Sequence, residues 1–211
     1  MQSAESKHQT HQNLLNRIVP IILEKGLKST TMDTVAATLG MSKRTLYEIF
    51  GSKSEMINRT LEAMERQNEE FVNLAFATSD NVMEAIIKVY KRNRDFIGSV
   101  NVDFYRDMDR LYKDKREDYD RVREGRHERM LNMFRLGVEQ GMFRADVDYT
   151  VQSRMMALHM EALKRIEELF PPDITLQRVF DSIITSFLRS IASEKGMAVL
   201  DREIGNLSSE E

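Results

Sequence analysis

Residues 30–53 read TTMDTVAATLGMSKRTLYEIFGSK and contain two short runs of periodic apolar residues. Apolar residues recur every three or four positions from Met32 to Leu39 and again up to Phe50, which is the spacing of two short amphipathic helices. Gly40-Met41-Ser42 separates them: the glycine supports a tight turn, and the serine can cap the second helix. Thr31 is placed to cap the first helix in the same way. The stretch therefore predicts a helix-turn-helix.

The second of these helices carries a polar face near its beginning. Leu46, Ile49 and Phe50 are predicted to face inward, which leaves as outward side chains Ser42, Lys43, Arg44, Thr45, Tyr47 and Glu48. Lys and Arg bind phosphate or guanine, and Thr and Tyr bind backbone oxygens or a thymine methyl, so the composition suits a recognition helix. Its first backbone amides also favour phosphate. The alternative is a small solvated surface helix, and the periodicity alone leaves both interpretations open.

With the helix before it, this segment resembles the TetR (tetracycline-repressor-like) family over roughly residues 12–57. The residues that carry the resemblance are Leu23-Glu24-Lys25-Gly26, Thr31, Val35-Ala36, Gly40-Met41-Ser42, Thr45-Leu46-Tyr47, Phe50 and Lys53. The resemblance implies an all-helical, dimeric DNA-binding regulator with a separate ligand-sensing region.

By that resemblance, individual side chains receive roles on DNA. Those implied to face base edges or phosphates are Thr31, Ser42, Lys43, Arg44, Thr45, Tyr47 and Lys53. Among them Tyr47 and Lys53 would hold phosphates, and Thr31 would approach the DNA backbone. Glu48 and Ile49 depart from the residues frequent in the family. Glu48 would either accept a hydrogen bond from cytosine or repel phosphate, so the operator sequence is not predicted.

The rest of the chain also shows helical patterns, and none typical of a strand. The predicted helices outside the helix-turn-helix span about 8–25, 52–77, 82–97, 103–112, 113–140, 148–170 and 173–195. Pro20 should bend the first of them, and Ser52 with Glu55 forms a capping box for the next. The predicted fold is all-α. An N-terminal helix-turn-helix DNA-binding domain at 8–68 precedes a larger dimerisation and ligand-binding bundle at 69–211.

Two apolar surfaces of the C-terminal region are candidates for binding. The last helix has an apolar arc wide enough to serve both its own core and a second copy, and the residues assigned to the dimer interface are Phe180, Ile184, Phe187 and Leu188. The alternative is a fully buried central helix. The preceding helix carries an apolar stripe, formed by Val151, Met155, Leu158, Ala162, Ile166 and Leu169. The resemblance implies that both of these long helices take part in a dimeric four-helix interface.

A small-molecule pocket needs apolar groups with a few polar ones. The residues assigned to such a pocket are Phe96, Phe104, Tyr105, Met108, Phe134, Met155 and His159. Flexible methionines suit an adaptable pocket, although methionines on helices are more often plain core. A core or pocket-lining position is also the interpretation for His159. The predicted effector is small and apolar.

Composition excludes several other functions. The chain has no cysteine, so disulfides and thiolate metal sites are excluded, and its four histidines show no metal-ligand spacing. No phosphate loop or catalytic constellation occurs in the sequence. We therefore expect that the protein is not an enzyme and binds no cofactor. The polar N-terminus predicts no secretory signal, and the absence of a long apolar run predicts no membrane partner and a cytoplasmic protein. Residues 1–59 carry eight Lys and Arg against five Asp and Glu, although the whole chain has a net charge of −3.

These observations predict a ligand-responsive transcriptional repressor that binds a palindromic DNA operator as a homodimer. The alternative, from another class, is a helical small-molecule-binding protein without DNA binding.

Overall fold

The computed structural model describes residues 2–113 and 116–205, with side chains described outside 2–10, 102, 109–123, 126 and 205. Every element within these ranges is an α-helix, which confirms the all-α prediction. The helices are α1 Gln2–Lys25, α2 Met32–Leu39, α3 Lys43–Phe50, α4 Lys53–Ala77, α5 Val82–Ser99, α6 Val102–Lys113, α7 Arg116–Glu139, α8 Tyr149–Leu163, α9 Ile166–Leu169, α10 Leu176–Ile191 and α11 Glu194–Gly205. None of the described helices combines the length and apolar character needed to cross a membrane.

The described chain forms two compact units, and the first contains the chain up to Glu70 together with Ser99–Arg110. In this unit α2 packs against both α1 and α3. Its fully buried side chains come from all four N-terminal helices and include Ile18, Ile22, Val35, Leu46 and Met56. Helix α1 continues through Pro20.

The beginning of α6 binds the end of α1 within this first unit. The Asn101 backbone N–H donates to the Leu23 carbonyl at 3.0 Å, and the Asn101 side-chain amide donates to the Glu24 carbonyl at 3.1 Å. The Asp107 carboxylate accepts the backbone N–H of Lys28 at 2.7 Å. Carbonyls at the end of an α-helix lack intrahelical donors, and Asn101 supplies two. The sequence placed Ser99–Arg110 with the C-terminal region, whereas these contacts are made with the first unit.

The second unit contains Phe71–Gly98 and the chain from Leu111 onward. Its core brings together side chains of α5, α7, α10 and α11 with the turn after α7, among them Met83, Ile87, Phe134, Phe143, Ile191 and Leu200. The Phe134 ring stacks on Tyr149 with centroids 4.8 Å apart and meets Phe143 edge-on at 6.2 Å. Gly196 allows close packing here, because a Cβ at that position would lie 2.0 Å from the Met142 carbonyl oxygen.

Two helix boundaries differ from the prediction. The helix expected over 148–170 is interrupted between α8 and α9, where the N–H groups of Lys164 and Arg165 donate to carbonyls only three residues earlier. This tighter turn ends the regular ladder and buries Ile166. The helix expected to reach residue 195 ends at Ile191, because Ala192 has an extended backbone. A further helix, α11, then begins, and the sequence analysis missed it.

The apolar stripe of α8 and α9 is largely exposed. The exposed fractions are 51% for Val151, 44% for Met155, 69% for Leu158 and 51% for Leu169. The buried face of α8 is formed instead by Ser153, Met156 and Leu163. Helix α8 is therefore oriented with its most apolar side exposed, and the participation of this helix in a dimer interface stays a prediction.

Candidate nucleic-acid interface

Helices α2 and α3 are each defined by a local cap. The Thr31 hydroxyl accepts the N–H of Thr34 at 3.1 Å, and the Ser42 hydroxyl accepts the N–H of Thr45 at 3.0 Å. Between the helices Gly40 has φ of +66°, a left-handed conformation that suits glycine. The predicted helix–turn–helix is thus confirmed in its bounds, its turn and both caps.

The polar face of α3 is open to solvent, as the sequence predicts. Leu46 and Phe50 are buried, and Ile49 is half-buried. Exposed side chains at the beginning and on the outer face of α3 are Ser42, Lys43, Arg44, Tyr47 and Glu48, with Thr45 half-buried beside them. Six polar groups that can contact a phosphate or a base edge therefore share one accessible surface.

Each cation of α3 is paired with a carboxylate, which the sequence analysis did not predict. The Lys43 ammonium lies 2.9 Å from Asp33 Oδ1 and 3.0 Å from Oδ2. This hydrogen bond and the charge of Asp33 raise the pKa of Lys43. The Arg44 Nε donates to Glu48 Oε1 at 2.8 Å, one helical turn along α3. The available signal was the i,i+4 spacing of Arg44 and Glu48. The Asp33 pair crosses between helices and had no such signal.

The two flanking candidates also have structural roles. Lys53, at the beginning of α4, donates from Nζ to the Lys28 carbonyl at 2.6 Å and is half-buried. Thr31 is exposed, and its hydroxyl lies 2.9 Å from that of Thr34. Both positions border the exposed face of α3 in sequence, and both side chains already stabilise the segment around α2.

The structure divides the predicted pocket residues between the two units. Phe104, Tyr105 and Met108 belong to the first unit, where burial raises the pKa of the Tyr105 phenol. Phe96 and Phe134 belong to the second unit, and Phe134 is fully buried within the aromatic cluster.

Two further pocket candidates, on α8, face outward. Met155 and His159 are exposed, so the prediction of a core or pocket-lining His159 is wrong. The cause is the orientation of α8, whose inner face presents Ser153 and Met156 instead.

Two of the predicted dimer residues lie inside the protomer. Phe180 and Leu188 are buried, and Ile184 and Phe187 are half-buried against the same core. Placing Phe180 and Leu188 on an outer face is therefore wrong. The apolar arc of α10 is largely buried by contacts within its own chain.

Polar contacts that sequence reasoning missed lie in the second unit. The Asp181 carboxylate accepts the Tyr90 hydroxyl at 2.7 Å and the Arg94 Nε at 3.0 Å. Burial, followed by this hydrogen bond, raises the pKa of Tyr90. An acidic residue at the edge of the apolar arc of α10 was the available signal. On α8 the buried Ser153 hydroxyl lies 2.9 Å from His127 Nδ1.

Two capped helices joined by a tight turn, with a polar outer face, define a helix-turn-helix DNA-binding protein. Residues 14–60 match the sequence model of bacterial regulatory proteins, tetR family. The match covers the N-terminal segment of the chain, and together with the fold it supports a DNA-binding transcriptional regulator. The matched model describes regulatory proteins, as the prediction of a non-enzymatic regulator expects. The alternative of a ligand-binding protein without DNA binding is not favoured by this match.

Solved structures show the same fold at low sequence identity. The ketosteroid transcriptional regulator KstR2 of Mycobacterium tuberculosis is 21% identical with a TM-score of 0.57, covering 86% of this chain and 94% of that one. A TetR-family regulator from Streptomyces coelicolor is 18% identical with a TM-score of 0.62, covering 85% and 94%. A transcriptional regulator from Saccharomonospora viridis, solved in complex with choline, is 17% identical with a TM-score of 0.64, covering 89% and 100%. The search among curated protein sequences gives no match.

Proposed function

We propose that the protein is a cytoplasmic, ligand-responsive repressor that binds a palindromic operator as a homodimer, with α3 in the major groove. The DNA-binding part is the first unit, with the chain up to Glu70 and Ser99–Arg110, and the sensing and dimerisation part is the second unit. The observation that carries the proposal is the capped α2–α3 pair with its polar face exposed. Lys43, Arg44 and Thr45 contact base edges, and the residues that hold the DNA backbone are Thr31, Ser42, Tyr47 and Lys53.

The exposure of this face supports the assignment. Leu46 and Phe50 fix α3 to the core of the first unit, so the outward side chains are presented on a rigid support. Lys43 and Arg44 lie in the first turn of α3, and N-terminal residues of a recognition helix are those that reach base edges in this type of docking. The Tyr47 side chain, one turn later, is exposed, and we assign its hydroxyl to a phosphate.

The exposed stripe of α8 and α9 supports dimerisation, and we assign a second copy of this chain as its partner. The stripe is defined as Val151, Met155, Leu158 and Leu169, all large and exposed in the protomer. Their spacing along α8 covers two turns, which is the pattern of a helix face that packs on another helix. A two-fold dimer places two α3 helices in half-sites about 34–36 Å apart or a multiple of that distance.

The second unit supplies the effector site in this proposal. Helix α4 contributes residues to both units, and its end is held in the second unit by the Arg92 guanidinium, 4.2 Å from the centre of the Phe71 ring. A ligand that displaces α5 therefore acts directly on α4. The effector must bind one conformation more tightly than the other, because otherwise no equilibrium shifts. The choline complex of the Saccharomonospora viridis regulator supports a small organic effector for this fold.

The experiment that tests DNA binding is selection of duplexes from a random library by the purified full-length protein, followed by titration of the enriched duplex. We expect a two-fold symmetric sequence. Lys53→Ala should weaken binding to all sequences alike and reduce the salt dependence by about one unit of slope, and Tyr47→Phe should also weaken all sequences.

Lys195→Ala is the matched control, because Lys195 also donates from Nζ to a backbone carbonyl, that of Gln140 at 3.0 Å, but in the second unit. It should leave DNA affinity unchanged. No enriched sequence, or wild-type affinity in both Lys53→Ala and Tyr47→Phe at moderate salt, would contradict the proposal. A reporter gene placed behind the enriched duplex then tests repression, and added candidate effectors test its relief.

A further inference from the structure

The helix-turn-helix, residues 31–50, carries no net charge, although it contains the proposed recognition helix α3. Residues 31–50 contain two cations, Lys43 and Arg44, and two carboxylates, Asp33 and Glu48. Non-specific affinity for DNA comes almost entirely from cations that neutralise phosphates. Residues 31–50 therefore add little net attraction for phosphates, and the phosphate contact proposed for Lys53 comes from outside them.

The four charged groups form two separate ion pairs with short contacts. Asp33 on α2 holds the Lys43 ammonium with both carboxylate oxygens, at 2.9 and 3.0 Å. Glu48 holds Arg44 through Nε at 2.8 Å. All four side chains are at least half exposed, with Arg44 at 89%. Exposed pairs of this kind are weak, so DNA can break them, but only where it offers a better partner.

We propose that Asp33 and Glu48 are specificity-determining residues of the DNA-binding face. They keep Lys43 and Arg44 paired on random-sequence DNA and release them only to a sequence that offers base-edge acceptors. Asp33 is a positioning residue that acts through Lys43. Glu48 lies on α3 itself and also accepts a hydrogen bond from a base amino group, such as that of cytosine. This inference rests on the proposed docking of α3.

The two carboxylates should act differently on the two kinds of DNA. On random duplex, removing either charge frees a cation for phosphate and removes a repulsion, so affinity rises. On the selected duplex, Asp33→Asn removes only a weak pair that is broken in any case, and the gain is small. Glu48→Gln additionally changes a base contact, so its affinity for the selected duplex falls. Both variants therefore reduce the ratio of selected to random affinity.

The test uses the full-length protein, the duplex enriched by selection and a labelled duplex of random sequence of the same length, titrated by fluorescence anisotropy over a range of salt. Asp33→Asn and Glu48→Gln should each raise affinity for the random duplex about three- to tenfold and steepen its salt dependence by about one unit of slope. A purely structural role of Asp33 would not steepen that slope.

Glu168→Gln is the matched control. It makes the same change of charge at an exposed carboxylate paired with an arginine, Arg165 at 2.7 Å, in the second unit. It should leave both affinities unchanged. An equal rise in this control would attribute the effect to net charge and overturn the inference.

Two outcomes separate this inference from the proposed function. In the first outcome, the wild-type protein prefers the selected duplex, but Asp33→Asn and Glu48→Gln bind random duplex as tightly as wild type does. This result overturns the inference and leaves the proposed function standing. In the second outcome, the wild-type protein binds both duplexes with equal affinity, which overturns both the inference and the proposed function. Circular dichroism of each variant checks that α2 and α3 stay folded, and Glu48→Gln keeps the test valid if Asp33→Asn loosens α2.

Discussion

Helices α2–α3 and helix α8 carry similar apolar periodicities, but they bury them differently. In α2 and α3 the periodic side chains, such as Val35, Leu46 and Phe50, are covered by neighbours within the first unit. In α8 the periodic side chains Val151, Met155 and Leu158 are exposed. An apolar stripe at helical spacing therefore shows which face of a helix packs against another surface. It does not show whether that surface belongs to the same chain.

The largest expected effect separates the two regions by one matched substitution. Leu46→Ala should destabilise the first unit by about 2–5 kcal/mol, because it leaves a cavity in a packed core. Leu158→Ala should change protomer stability by less than about 0.5 kcal/mol, because its side chain is 69% exposed. Urea unfolding followed by circular dichroism measures both. Equal losses would mean that α8 is packed within the protomer.

An intermediate effect concerns the partner of α8. Leu158→Glu should weaken the homodimer at least about 100-fold, because a two-fold interface contains the unpaired charge twice. The protomer should stay folded, since this side chain is exposed in it. Sedimentation at several concentrations gives the mass.

Leu74→Glu is the control for that substitution, because Leu74 is exposed to a similar degree, 59%, but lies on α4 outside the stripe. It should leave the dimer intact. Phe180→Glu should instead unfold the second unit, because Phe180 is buried there. A folded, dimeric Leu158→Glu protein would move the interface away from α8.

The smallest expected effect compares two helix caps. Thr31→Ala and Thr175→Ala each remove a hydroxyl that accepts an N–H three residues later, at 3.1 and 3.2 Å. Each should cost about 1 kcal/mol in its own unit. Only Thr31→Ala should also weaken DNA binding. The expected loss of affinity is about two- to fivefold, since one contact to the DNA backbone is removed. Equal DNA affinity in the two variants would reduce Thr31 to a cap alone.

The sequence predicted the helix-turn-helix well because its determinants are local. Caps at Thr31 and Ser42 and the glycine at residue 40 act within four residues, and short-range hydrogen bonds leave short-range patterns. The break between α8 and α9 depends on packing of Ile166, and the end of α10 depends on the contact of Ala192 with Phe143. The break has no local signal, whereas the start of α11 has one in Ser193, whose hydroxyl accepts the N–H of Gly196 at 3.0 Å.

The residues of the candidate site could be predicted from the sequence, but their ion pairs could not. The exposed polar face of α3 follows from counting positions around a helix. The pairing of Lys43 with Asp33 joins residues of different helices, ten positions apart, and requires the crossing geometry of α2 and α3. The outward orientation of Met155 and His159 likewise depends on which face of α8 meets α7 and α10, and periodicity cannot choose between two comparable faces.

The contacts of Asn101 and Asp107 with the end of α1 have a consequence for dissecting the molecule. The compact N-terminal unit is discontinuous in sequence, since residues about thirty positions beyond Glu70 complete it. A fragment that stops at Glu70 lacks the donors for the Leu23 and Glu24 carbonyls and the acceptor for the Lys28 amide. The DNA-binding portion is therefore not a portable module, and chimaeras that graft it onto another sensor must carry residues 99–110 with it.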